Sequence, residues 1–142
     1  VHGQQYGTLR SEVDRVLATG RHVLMDIDVQ GARQFHAAFP DTVLIFVLPP
    51  SGEVLKSRLA GRQSESRERL LVRLQNARAE LGEVGRYHYV VINDDLSRAV
   101  DQVSVIIDAE GLRHDRVHEV EAQVEALIAQ LEQEINDFTK GE

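Results

Sequence analysis

Apolar residues fall along this chain in two kinds of run: short unbroken ones, and longer ones at three- and four-residue spacing. The first kind reads as buried strand and the second as amphipathic helix. Residues 8–19 predict a helix with Thr8 as cap, Leu9, Val13, Val16 and Leu17 as apolar stripe, and Gly20 as stop. HVLMDID (22–28) predicts a buried strand closing in aspartates, and 31–39 a short helix stopped by Pro40. TVLIFVL (42–48) predicts a second strand, ended by Pro49 and Pro50, which cannot continue a ladder. Ser51 then caps a helix carrying Val54, Leu55 and Leu59, broken at Gly61. A longer helix follows, with Leu70, Leu71, Leu74, Ala77 and Leu81 on one side. YHYVVI (87–92) predicts a third strand, stopped by Asn93, Asp94 and Asp95.

The stretch 96–109 is strand-like in composition, but its apolar residues recur at 96, 99/100, 103 and 106/107 after a capping Asp, which predicts helix. From Val117 onward Val120, Val124, Leu127, Leu131, Ile135 and Phe138 predict a long amphipathic helix. Short apolar strands alternating with helices indicate an α/β fold, a parallel sheet with helices on both faces. Ligands of such sheets sit at the carboxyl ends of the strands, where Asp26, Asp28 and residues 93–95 are expected.

The chain has 142 residues, 42% hydrophobic and 27% charged, the balance of one soluble domain able to bury a core. There is no cysteine, and so neither a disulfide framework nor a thiolate metal site. No signal-peptide pattern opens the sequence and no apolar run is long enough for a membrane helix, so a cytosolic location is expected, with no membrane partner. A net charge of −7 argues against nucleic acid as a partner. The charge is uneven, however. Arg58, Arg62, Arg67, Arg69, Arg73 and Arg78 crowd one stretch while acidic residues gather after Asp108. That arginine stretch is either a site for a multiply charged anion or a solvated face in which Glu65, Glu68 and Glu80 offset the cations.

Several of these residues can bind an anion or a polar ring edge. Tyr6 beside Gly7 can present its hydroxyl to a phosphate oxygen and Thr8 can bond a base edge, or the two form a surface turn and a helix cap. Asp26 and Asp28, two apart on a strand, share a face, and one of them can cap the turn at Gln30 and Gly31. Arg58 and Arg62 are one helical turn apart, and Arg73 can return to the same anion if 63–69 forms a lid. Asn93 closes a strand at the edge where ligands are expected, or simply ends it. No metal site is expected on protein ligands alone.

Four motifs in order, VHGQQYGT (1–8), LMDIDVQGAR (24–33), PPS (49–51) followed by RLAGR (58–62) and Arg73, and YVVINDDL (89–96), resemble guanylate kinase over most of the chain. The resemblance implies a nucleoside-monophosphate-kinase-like parallel sheet and transfer of the ATP γ-phosphoryl group to GMP. It implies Tyr6 on the GMP phosphate, Thr8 and Asp28 on guanine, and Asp26 near the metal and phosphates. It further implies Arg58, Arg62 and Arg73 as lid arginines that clamp ATP and the transferring group, and Asn93 near the ATP ribose and base. Mg²⁺ would be held mainly by the nucleotide phosphates. Residues 1–20 are then the remainder of the GMP-binding region, 58–76 the lid, and 21–57 with 77–142 the core of a single domain.

The sequence departs from the family pattern in three ways. No G-x-x-x-x-G-K-[ST] loop occurs in it, so the expectation is an N-terminally truncated member that is catalytically impaired by itself. Gln5 stands where a second aromatic is usual, and Gln63 where Gly usually follows the lid Arg. The tail is expected to pack on the core or to pair with a second copy. The alternative to an enzyme is a kinase-dead guanylate-kinase-like binding module, against which the retained lid arginines argue.

Overall fold

The structure, a computed structural model, describes residues 2–60, 66–117 and 119–140; for residues 2–9 and 114 it describes the backbone alone. Among these are six α-helices and one two-stranded parallel sheet, a mixed α/β architecture. The chain divides into two compact units, residues 1–44 and residues 45–142.

The first unit holds two helices. The first, α1, runs His2–Leu17 and so begins well before the cap expected at Thr8. No proline interrupts residues 2–8, and the two glycines there weaken a helix without breaking it. Its apolar stripe is anchored by Val13, which is buried, whereas Leu17 is largely exposed. The helix ends at Leu17 with Gly20 at φ 75°, the left-handed conformation that glycine adopts without steric cost. The second, α2, spans Val29–Ala38. Phe35 and Phe39 stack at 4.8 Å, and the Arg10 guanidinium lies 5.4 Å over the Phe39 ring.

The strand expected at 22–28 is absent. The segment is extended but without ladder pairing, and Leu24 is 72% exposed. A strand is defined by its neighbour, and among the described residues no neighbour pairs with this one.

The second unit is built on β1 (Ile45–Leu48) and β2 (Tyr89–Ile92), paired in parallel with Ile45 opposite Tyr89 and Leu48 opposite Ile92. Phe46 and Val91 are buried, and the Phe46 ring meets the edge of Tyr87 at 4.7 Å. Coverage is less complete than expected of a sheet with helices on both faces, because Val47, Val90 and Ile92 are each about half exposed.

Two helices connect the strands: α3 (Gly52–Ala60), and α4 (Arg67–Leu81), which starts at a Ser66 cap. The expected helix after β2 is present as α5 (Leu96–Gly111), with Ala99 buried against the unit. A final helix, α6 (Val120–Lys140), carries the amphipathic pattern of the tail, and its apolar residues Leu127, Leu131, Ile135 and Phe138 stay more than half exposed.

Candidate nucleotide site at the strand ends

Two short sequences, 49–51 and 93–95, turn the carboxyl ends of β1 and β2 into one structure. After Leu48 the chain meets Pro49 and Pro50, and Ser51 then starts α3, its Oγ accepting the Val54 amide at 3.2 Å. After Ile92 the Asn93 amide donates to the Leu48 carbonyl at 2.8 Å, extending the pairing one residue beyond β2. Asp95 then caps α5, its Oδ1 accepting the Arg98 amide at 2.8 Å. Both α3 and α5 therefore begin at this edge, with their amino-terminal partial positive charge directed at it.

The arginines of α3 and α4 belong to the same assembly. Arg58 donates from Nη2 to the Asn93 carbonyl at 3.0 Å, across 35 positions of sequence. Arg73 donates from Nη1 to the carbonyl of Leu59 at 2.8 Å, tying α4 to the last turn of α3. Both guanidiniums are exposed, and each presents a planar fork of donors. Of the residues singled out from sequence, Arg58 and Asn93 are thus brought into direct contact, and Arg73 binds the neighbour of Arg58. Arg62 lies outside the described residues.

The acceptor-side candidates sit in the first unit. Asp28 caps α2, its Oδ1 accepting the Gly31 amide at 2.7 Å, so the capping alternative holds for this residue. Gly31 gives the carboxylate its room, because a Cβ there would stand 3.1 Å from that same oxygen. Asp26 is exposed. The shared strand face expected for the two aspartates is not formed, since 22–28 is not a strand. Tyr6 and Thr8 lie within α1 rather than on a turn, and their side chains are outside what is described.

One polar cluster escaped the sequence reading. Glu110 is buried at 8% exposure near the end of α5, accepting from Tyr89 Oη and from Arg113 Nη1, with Arg116 Nε at 3.5 Å. The Tyr89 hydrogen bond, opposed by burial and assisted by Arg113, holds the Glu110 carboxyl below its ordinary value. The signal was available: position 110 continues the three- and four-residue spacing of the apolar stripe at 103 and 106/107, and a carboxylate on an apolar stripe needs partners.

Among the described residues no group of three His, Cys, Asp or Glu side chains is placed to hold a metal ion. Nor is any helix among them long and apolar enough to cross a membrane.

The family model described as guanylate kinase matches residues 1–110. A guanylate kinase of Rhizobium etli is 49% identical over 119 residues, covering 83% of this chain and 54% of the relative. That of Bartonella henselae is 44% identical over 131 residues, covering 92% of this chain and 59% of the relative. That of Aromatoleum aromaticum is 43% identical over 119 residues, or 84% and 58%. The chain thus spans somewhat over half the length of the curated relatives it matches. With a family match reaching from the first residue to Glu110 and identities of this order, the chain belongs to the guanylate kinase family.

Proposed function

We propose that the chain serves transfer of the γ-phosphoryl group of ATP to GMP, giving ADP and GDP. The observation that carries this reading is the placement of Arg58 against Asn93 at the carboxyl edge of the sheet, where α/β folds bind ligands. In the proposed reaction a GMP phosphate oxygen attacks the γ-phosphorus in line. A new P–O bond forms as the bond to the β–γ bridging oxygen breaks, and ADP leaves with that electron pair. The attacking phosphate is already ionised, so no general base is required. Catalysis is then positioning and charge stabilisation, which a fork of fixed guanidinium donors suits.

In this reading Tyr6 binds the GMP phosphate, Thr8 and Asp28 read guanine, and Asp26 lies toward the phosphates. Arg58, Arg62 and Arg73 are the cations of the lid (58–76), and Asn93 flanks the ribose and base of ATP. Residues 1–20 belong to the GMP-binding region, and 21–57 with 77–142 to the core. Mg²⁺, when carried in on the nucleotide, neutralises and orients the phosphates. The exposed carboxylate of Asp26 is the residue here that suits a water-mediated contact to it.

These 142 residues contain no G-x-x-x-x-G-K-[ST] sequence, and so as an isolated polypeptide they are proposed to turn over negligibly. A coupled ADP-release assay tests both halves of the proposal. It compares the polypeptide alone with a fusion to an N-terminal segment that carries a G-x-x-x-x-G-K-[ST] loop. The expected result is activity in the fusion only. An inactive, folded fusion overturns the assigned reaction, and robust turnover by the polypeptide alone overturns the dependence on the loop.

A further inference from the structure

The Arg58 contact has a cause in the covalent structure of the β1 end. In a parallel ladder a residue whose amide donates to position i−1 accepts, through its own carbonyl, the amide of position i+1. Asn93 donates to the Leu48 carbonyl, and the register that sets Leu48 opposite Ile92 sets residue 49 opposite Asn93. The donor due to the Asn93 carbonyl is therefore the amide of residue 50, which is a proline and has none. Arg58 Nη2 occupies that acceptor at 3.0 Å. Arg73 holds a second carbonyl on the same helix, that of Leu59 in the last described turn of α3.

We propose that Arg58 is a positioning residue: its guanidinium replaces the amide that Pro50 lacks, holds the Asn93 carbonyl, and so fixes the strand end that meets ATP. The part concerning ATP rests on the function proposed above; the part concerning the strand end does not. Arg73, bound to the carbonyl next to Arg58 along α3, steadies the helix from which Arg58 reaches. Within the set of lid cations Arg58 thus acts through Asn93 on nucleotide affinity.

Amide hydrogen exchange on the 142-residue chain tests the strand end directly. Arg58→Ala is expected to speed exchange of the Asn93 amide roughly tenfold, the scale of one lost charge-assisted hydrogen bond. Arg58→Lys, whose ammonium can still donate to the carbonyl, is expected to stay near the unsubstituted chain. In a Pro50→Ala background, where the ladder donor is restored, the effect of Arg58→Ala is expected to vanish. An Asn93 amide indifferent to Arg58→Ala, or an equal effect in both backgrounds, overturns the proposal.

In the loop-bearing fusion Arg58→Ala is expected to raise the KM for ATP about tenfold with kcat little changed, and Arg58→Lys to restore it. A fall in kcat at constant KM would place Arg58 on the transferring group instead. If the unsubstituted fusion is itself inactive, the assigned reaction fails, and the exchange measurement still decides the role of Arg58 at the strand end.

Discussion

The Tyr89 hydroxyl donates to Oε1 of Glu110 at 2.5 Å, joining the first residue of β2 to the next-to-last residue of α5. Arg113 and Arg116 close on the other carboxylate oxygen, Oε2, so a buried charge at the end of the family-matched region is met on several sides. A buried carboxylate is tolerable only when hydrogen-bonded and paired, and here the partners come from β2 and from the turn after α5. The cluster pins α5 to the sheet at the end opposite the carboxyl edge of the strands.

The acid dependence of stability follows from that pairing. The carboxyl of Glu110 sits below the ordinary 4.5, chiefly because it accepts the Tyr89 hydrogen bond. A depressed carboxylate contributes stability that is fully present above 4.5 and is lost as pH falls through its folded value. Glu110→Gln is therefore expected to melt a few degrees lower near neutrality, with the gap narrowing below pH 4.5. Thermal melts of both proteins across that range check it; parallel stability curves through the acid region would remove Glu110 from the account.

The alkaline side carries the opposite sign. The Tyr89 hydroxyl is raised above the ordinary 10.0, first by the Glu110 hydrogen bond and then by burial. A raised group contributes stability present below 10.0 and lost as pH climbs through the folded value, where tyrosinate would face carboxylate. Ultraviolet titration of phenolate absorbance should show one of the three tyrosines ionising late, and Glu110→Gln should bring it back toward the others. Three coincident transitions would contradict the contact.

Local signals made most helices legible and long-range ones hid the rest. Gly20, Ser51 and Asp95 act within four residues of themselves, so the starts and stops they mark could be read directly. The run 22–28 has the composition of a buried strand, but pairing is a property of two segments, and composition cannot supply the second. The chemistry of the arginine stretch was legible as cationic. That Arg58 would meet the Asn93 carbonyl, however, depends on the register of β1 and β2 and on a missing amide at Pro50. Glu110 was passed over because a helical stripe was read for its apolar members only.

Arg62, one of the three arginines proposed for the lid, is expected to act on the transferring group rather than on the fold. In the loop-bearing fusion, Arg62→Ala should lower kcat by at least about a hundredfold, in the range attributed to arginines that stabilise phosphoryl-transfer charge. Arg62→Lys should recover only part of it, since an ammonium lacks the planar fork. Steady-state rates near those of the unsubstituted fusion would take Arg62 out of the site.

Asp28 offers the sharpest separation of structure from recognition, because one carboxylate is assigned two tasks. Its Oδ1 caps α2 through the Gly31 amide at 2.7 Å, and guanine recognition is proposed for the same side chain. Asparagine caps about as well as aspartate, whereas alanine forfeits about 1 kcal/mol at such a position. Asp28→Asn should therefore leave the unfolding midpoint nearly unchanged, and Asp28→Ala should lower it. Recognition should divide differently. Guanine presents its N1–H and amine as a donor pair to a carboxylate, and both substitutions remove the charge and at least one of its two acceptor oxygens. The ratio of kcat/KM for GMP over AMP in the fusion should fall for both variants alike. Urea melts of the chain and that ratio together decide the matter: a ratio that tracks the melting midpoint would make Asp28 a helix cap and nothing more, while one that collapses in Asp28→Asn at intact stability assigns it to the base.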